Sequence, residues 1–419
     1  MTVICNSPQL RFSDFNDQWS VLKLGNIAKI NDGTHQTPKY VENGIKFVSV
    51  ENIHNLKNTS KFITSEAYEK GFKVKPRIGD ILMTRITAGV IGATAIVTDN
   101  EPLAYYVSLA LIREVSGNHI PYLAQRIEST HFKRELHKRI IHVAFPKKIN
   151  LGDIGECLIS IPSLPEQQKI ASFLSKVDEK IALLTEKKDK LAEYKKGVMQ
   201  QLFNGKWEEQ DGLLTFIPPT LRFKADDGSE FPDWEEKALG DITKPVKRKA
   251  SETVSKVMTI SASQGFLDQK ERFSQVIAGS SLDRYTHIKK GEFSYNRGNS
   301  KSFKYGCIYL MREDEALVPF VYRTFKLTSG IPEFYQQLFL NHVLDRQLRK
   351  MISSSARMDG LLNIGEKDFY KVKLLVPSLK EQTKIANFLS AIDQKIDLAN
   401  SELDKAKEWK RGLLQQMFV

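Results

Sequence analysis

Residues 161–203 read IPSLPEQQKIASFLSKVDEKIALLTEKKDKLAEYKKGVMQQLF, and residues 376–418 read VPSLKEQTKIANFLSAIDQKIDLANSELDKAKEWKRGLLQQMF. They align without a gap at an offset of 215, which sets Pro162 on Pro377, Glu166 on Glu381, Phe173 on Phe388 and Gly197 on Gly412. Chance does not produce such agreement over about forty positions, so the chain carries an internal repeat. In the first copy apolar residues recur in steps of three and four at Ile170, Leu174, Val177, Ile181 and Leu184, then at Leu191, Val198 and Leu202. The second gives Ile385, Leu389, Ile392, Ile396, Ala399, Leu403, Ala406, Leu413 and Met417. This heptad spacing predicts two long helices, each with a narrow coiled-coil seam and a length of roughly 57 Å at ~1.5 Å per residue. Asn204-Gly205 is a stop signal for the first, because both residues tolerate a left-handed C-cap.

Two matching stripes in one chain are most economically buried against each other. The expected arrangement is an antiparallel pair about a pseudo-two-fold axis, with the intervening domains at opposite ends. Lys188, Lys195 and Lys410 interrupt the seam and argue for wet or partner-lined stretches. Phe173, Tyr194, Phe388 and Trp409 flank it at equivalent places. They either widen the intramolecular stripe or form two equivalent docking sites for a pair of identical partner subunits.

Outward from the helices the repeat weakens. Leu10-Arg11-Phe12 matches Leu221-Arg222-Phe223, Trp19 matches Trp234, and Leu24-Gly25-Asn26-Ile27 matches Leu239-Gly240-Asp241-Ile242. Gly79-Asp80 and Arg85 find partners in Gly291-Glu292 and Arg297, and Asn150 in Asn363. Between these markers lie short strand-like runs: 44–50, 79–84, 91–97 and 109–114 in one copy, and KVMTISA, GEFSYNR and YGCIYLM in the other. Helical stretches are expected around 121–140 and 332–351. The fold class is therefore α+β, two strand-rich domains alternating with two long paired helices. The boundaries are 1–160 for the first domain, 161–205 for the central helical region, 206–220 for a linker, 221–375 for the second domain and 376–419 for the C-terminal helical region.

A formal net charge of +12 points to a polyanionic partner. The loops of the strand-rich domains are dense in side chains able to bond base edges or phosphates. Candidates in the first domain are Thr34, His35, Gln36, Lys39 and Tyr40, then Arg85 and Thr87, and the pair Lys147 and Lys148. In the second they are Lys247, Arg248 and Lys249, then Arg297, Asn299, Lys301, Ser302, Lys304 and Tyr305, and Arg357. Each has an ordinary alternative: His35 as a loop histidine, Lys247-Arg248-Lys249 as a solvated charge run, Arg85 and Arg297 as internal ion-pair formers.

Catalytic signatures are missing. There is no phosphate-binding Gly-x-x-x-x-Gly-Lys-Ser/Thr loop, no Gly-x-Gly-x-x-Gly fingerprint, and no Asn/Asp-Pro-Pro-aromatic segment of an amino-methyltransferase. The eight histidines lack metal-ligand spacing. Cys5, Cys157 and Cys307 form no disulfide framework. No run of eighteen apolar residues could span a membrane, and the first residues lack a signal peptide's pattern, so a cytoplasmic location is expected.

Pro-Ser-Leu-x-Glu-Gln-x-Lys-Ile-Ala-x-Phe-Leu at 162–174 and again at 377–389, each following a strand-rich domain, resembles the specificity (S) subunit of type I restriction-modification systems. The resemblance covers essentially the whole chain, and the segment Thr34-His35-Gln36-Thr37-Pro38 is similar to a loop recurrent in that family's recognition domains. It implies a non-catalytic, sequence-specific reader of double-stranded DNA. Each domain would read half of a split site, and the helices would set the spacer and dock methyltransferases. It further implies two methyltransferase (M) subunits that use S-adenosylmethionine and two restriction (R) subunits that use ATP and Mg2+, with no cofactor on this chain. The alternatives are a stand-alone nuclease or methyltransferase with degenerate motifs, and a coiled-coil scaffold for nucleic acid.

Overall fold

The computed structural model describes residues 7–210, 213–217, 219, 221–251, 253–272, 279–352 and 361–419. The chain divides into two compact units, Met1–Glu186 with Asn400–Val419, and Lys187–Ala399. Each holds one strand-rich domain and a part of each long helix, Leu164–Phe203 and Leu379–Gln416.

In the first unit the helix stretches run antiparallel. Leu10 N–H donates to Gln416 O at 3.0 Å while the next residue, Arg11, grips Glu166, and further along Asp178 meets Lys410 at 2.5 Å. Ile170, Leu174 and Val177 are buried in one core with Leu413, Met417 and Phe418. The second unit repeats this. Leu221 N–H donates to Gln201 O, Arg222 grips Glu381, and Lys195 meets Asp393 at 2.6 Å. Val198 and Leu202 share a core with Ile385, Leu389 and Ile392. Lys195 and Lys410 are therefore not signs of a wet or partner-lined seam. Each sits across from the aspartate of the antiparallel helix, and burial of most of the lysine favours that pairing over water. Lys188 pairs with its neighbour Asp189 at 3.3 Å.

Each domain is built on a four-stranded antiparallel sheet with the same order. In the first, Ala28–Asp32, Leu109–Glu114, Ile81–Thr84 and Thr94–Ile96 lie side by side; in the second, Thr243–Pro245, Arg323–Leu327, Glu292–Asn296 and Cys307–Leu310. Gly79 and Gly291 precede equivalent strands with φ of +88° and +83°, a turn conformation that costs a side-chain-bearing residue dearly. A short ladder closes each domain on its helix: Ser20–Lys23 with Leu158–Ile161, and Glu235–Ala238 with Lys373–Val376.

Beyond this frame the domains differ. The first adds a three-stranded sheet of Phe62–Ile63, Ile45–Val48 and Leu103–Tyr105, with a core of its own around Phe47, Tyr68 and Phe72. The second adds two ladders, Met258–Ser261 with Gly265–Asp268 and Thr286–Lys289 with Glu315–Val318.

Two expectations change. Each helical stretch is a pair of helices, Ile120–Glu128 and Thr130–His137 in the first domain, Pro332–Leu340 and Asp345–Met351 in the second. Ser129 breaks the first because its hydroxyl accepts from Phe132 N–H as an N-cap. His342, at φ +59°, lies between the second pair. The segment expected as a linker carries a hairpin, Lys206–Gln210 paired with Leu213–Ile217. Among the described residues no helix is long and apolar enough to cross a membrane.

Candidate nucleic-acid interface

The repeated motif residues hold each domain on its helix. Arg11 donates from Nε and Nη2 to the two carboxylate oxygens of Glu166, both at 2.8 Å; Arg222 does the same to Glu381 at 3.1 and 2.8 Å. Glu166 and Glu381 are buried, and the carboxylate keeps each guanidinium firmly charged. The adjacent Gln167 donates to Pro162 O and accepts from His119 N–H at 2.9 Å. Gln382 donates to Pro377 O and accepts from Ile331 N–H at 3.0 Å. His119 and Ile331 are the N-cap residues of the helices Ile120–Glu128 and Pro332–Leu340, so each glutamine satisfies a backbone donor at a helix start. Aromatic pairs complete the joint: Phe12 with Phe173, Phe223 with Phe388, Trp19 with Tyr122, Trp234 with Phe334.

In the first domain the candidate residues converge on Arg85. Its guanidinium donates to Asp32 Oδ2 at 3.2 Å, Val107 O at 3.0 Å and Ile149 O at 3.1 Å. Arg85 is 7% exposed and takes the internal ion-pair role that was its alternative: it is a strut between Asp32, the last residue of its strand, and Ile149, which follows the strand Lys147–Lys148. Around it stand the exposed candidates. His35 Nε2 meets Asp32 Oδ2 at 2.8 Å, and Thr34 Oγ1 both accepts from Gln36 N–H and faces Gln36 O, which tightens the turn. Gly33 admits no side chain, because a Cβ there would lie 1.9 Å from Tyr105 O. His35, Gln36, Lys39 and Tyr40 are exposed, with the Tyr40 ring packed at a tilt on Phe47. Thr87 is paired in register with Lys147, and both Lys147 and Lys148 project into solvent.

The second domain divides its candidates. Lys247, Arg248, Lys249 and Arg297 line one cleft of about 530 Å³, joined by Arg284, Phe320 and Arg323. The Arg284 guanidinium lies 4.2 Å from the centre of the Phe320 ring, which is 47% exposed. Arg248 is half spent within the protein: it forms a forked pair with buried Glu292 at 3.0 and 3.2 Å and donates to His287 O. Arg297 likewise donates to Val321 O, so it too is held inward, not presented freely to a base edge. Asn299, Lys301, Ser302 and Lys304 are exposed, whereas Tyr305 is half-buried and its carbonyl accepts from Tyr295 Oη. Ser302 lines a different cavity, beside Phe303, Lys195 and Asp393. Arg357 lies outside the described residues.

On the helices, Phe173 lies between Phe12 and Trp409, and Phe388 against Phe223, so both phenylalanines serve intramolecular packing. Tyr194 is 55% and Trp409 49% exposed.

Sequence reading passed over Glu166, Gln167, Asp32, Arg284, Phe320 and Arg323. For the first two a signal existed, since Arg11 and Glu166 are both repeated, at Arg222 and Glu381. Asp32 and Arg323 are placed by sheet register, and Arg284 and Phe320 by the segments between strands, none of which local sequence foretells.

The chain was compared with known proteins. A model of the type I restriction modification DNA specificity domain matches residues 16–193 and 307–408. A putative type I restriction enzyme MjaX specificity subunit of Methanocaldococcus jannaschii is 22% identical, over 99% of this chain and 96% of that protein. The crystal structure of a type I restriction-modification S subunit from M. genitalium superposes with a TM-score of 0.57 at 14% identity, covering 99% of both chains. A chain from a structure concerned with assembly and conformational transition of the type I R-M system gives 0.51, also at 14% identity, over 94% of this chain and 96% of that one.

Proposed function

This chain belongs to the type I restriction-modification DNA specificity family, and from that premise we propose that its two domains each read one half of a bipartite duplex target. It acts as the DNA-specificity subunit of a restriction-modification complex and leaves the chemistry to partners. The observation that carries the two-half reading is the contrast within the repeat. Glutamate, glutamine and arginine form the same joint twice, while the loops carried on that joint share neither length nor charge. A duplicated mount with two different faces suits a protein that presents two recognition surfaces to one asymmetric ligand.

In the first domain the set is the exposed His35, Gln36, Lys39, Tyr40, Lys147 and Lys148 with the half-buried Thr34 and Thr87, braced by Arg85. In the second it is Lys247, Lys249, Asn299, Lys301, Ser302 and Lys304, with Arg248, Arg297 and Tyr305 as supports. Arg357 belongs to the same proposal. The long helices set the unread spacer, and Tyr194 and Trp409 offer apolar contacts to two methyltransferase subunits. Those subunits would bring S-adenosylmethionine, and two restriction subunits would bring ATP and Mg2+, in the cytoplasm.

The test is to co-express the chain with the methyltransferase encoded beside it and map methylated adenines across the genome. A split motif with a fixed spacer, present only with this chain, is the expected result. No such motif, or the same motif without the chain, would overturn the reading.

A further inference from the structure

The two sheets can be aligned by equivalent hydrogen bonds. Val115 N–H donates to Ile27 O in the first domain, and Thr328 N–H donates to Ile242 O in the second. Five residues on from Ile27 is Asp32, and five on from Ile242 is Lys247. Five back from Val115 is Ala110, which pairs in register with Asp32, and five back from Thr328 is Arg323. The framework arginine therefore meets opposite surroundings. In the first domain those two places hold a carboxylate, which pairs with Arg85, and a methyl group. In the second, Arg297 shares its cleft with a lysine and another guanidinium in those two places.

The second cleft is only partly neutralised from within, since Arg248 alone has the buried Glu292 behind it. Six cationic side chains line it, and among the described residues the lining carboxylates are Asp283 and Glu366, the latter already 3.2 Å from Lys247 Nζ. Arg297 is fixed by its two donations to Val321 O, and Arg323 by a donation to Ile364 O and by the Phe369 ring 5.4 Å away. Burial, and then the nearby Arg297, make the Arg323 proton easier to lose than usual, against a smaller opposing pull from Glu366. Arg323 Nη1 is buried and finds no hydrogen-bond partner among the described residues. Two guanidinia held in place by backbone carbonyls, in a cleft whose lining cations outnumber its lining carboxylates, suit the charge of a phosphodiester.

We propose that the second domain, and not the first, anchors a backbone phosphate of the duplex between Arg297 and Arg323, with Lys247 closing the site. This rests on the DNA-reading function proposed above and assigns the cleft a positioning role, in which it fixes the domain on the strand without selecting a base. Phe320 under Arg284 stands at the same cleft and gives the adjoining sugar or base an apolar surface.

The experiment uses the full chain and a random-sequence duplex of about 40 base pairs, with binding measured from 50 to 300 mM salt. Lys247→Glu restores from an exposed position the acid that the first domain has, so it tests the site without entering the core. Arg323→Gln removes one guanidinium. Each is expected to weaken binding roughly tenfold at low salt, by the same factor on every sequence, and to reduce the slope of log K against log salt by one to two. Arg85→Gln, if it folds, leaves the slope unchanged. Unaltered affinity and slope in Lys247→Glu overturn the phosphate site while leaving DNA reading intact. Weakening confined to particular sequences overturns it in favour of base reading. A wild-type chain that binds no duplex overturns both.

Discussion

A carboxylate's worth depends on what it faces, and Glu166 and Glu381 show this twice. Each is buried, which would be prohibitive for a lone charge, and each is matched by a forked arginine from a segment more than 150 residues distant in sequence. Replacing Glu381 by glutamine leaves the Arg222 guanidinium with an amide that competes poorly for it, at a cost of about 3 kcal/mol. Hydrogen exchange should accelerate in 221–234 and around 376–385 but stay as in the wild type in 10–19; an equal rise in both places would mean that the pair is not local in its action. The participants were legible in the sequence as a repeated Arg and a repeated Glu, though nothing there joined them. Burial decided the fate of other residues. Arg85 takes the internal ion pair that its sequence position allowed, with Asp32, and Arg248, which reads as part of a solvated charge run, has Glu292 within reach; neither acid is identifiable before the sheet brings it close.

At the scale of elements, periodicity is enough for the long helices, and each named strand-like run contains a strand, though many short strands carry no such signal. The run 79–84 contains the strand Ile81–Thr84, and 109–114 forms a strand in full. The breaks at Ser129 and around His342 were hidden because local capping competes with an otherwise helical pattern. The pairing of Lys195 and Lys410 is hidden for a related reason, since their partners lie on the other helix. Lys195–Asp393 is further held by Gln337, which donates to the second carboxylate oxygen at 2.7 Å. Asp393→Lys sets two cations together and should cost about 1–2 kcal/mol, discounted for partial exposure. The exchange Lys195→Asp with Asp393→Lys should recover most of it in chemical denaturation. No recovery would show that Gln337, not the lysine, is the important contact.

For the whole molecule, the duplication was plain from the sequence, and the use of the duplicated parts was less so. The two units share a sheet order and a joint but differ in what is built above them: a separate aromatic core in the first, a cation-lined cleft in the second. Substitutions should accordingly separate by unit. Lys39→Ala with Lys147→Ala should relax one half of the methylated motif, and Asn299→Ala with Lys301→Ala the other, each leaving the remaining half as sharp as before. Genome-wide methylation mapping reads this directly, and blurring of both halves by one pair would defeat the division of labour. Net charge foretold a polyanion but not its distribution, because the sign at a given place depends on which neighbours are neutralised.

The matched joints also bear on ancestry. A genetic crossover within the stretch encoding 162–203 or 377–418 would hand a descendant a different domain together with the glutamate and glutamine needed to seat it. The incoming Leu-Arg-Phe segment would find its carboxylate waiting. New combinations of readers could then arise by inheritance alone, with no intermediate that must relearn how to fold.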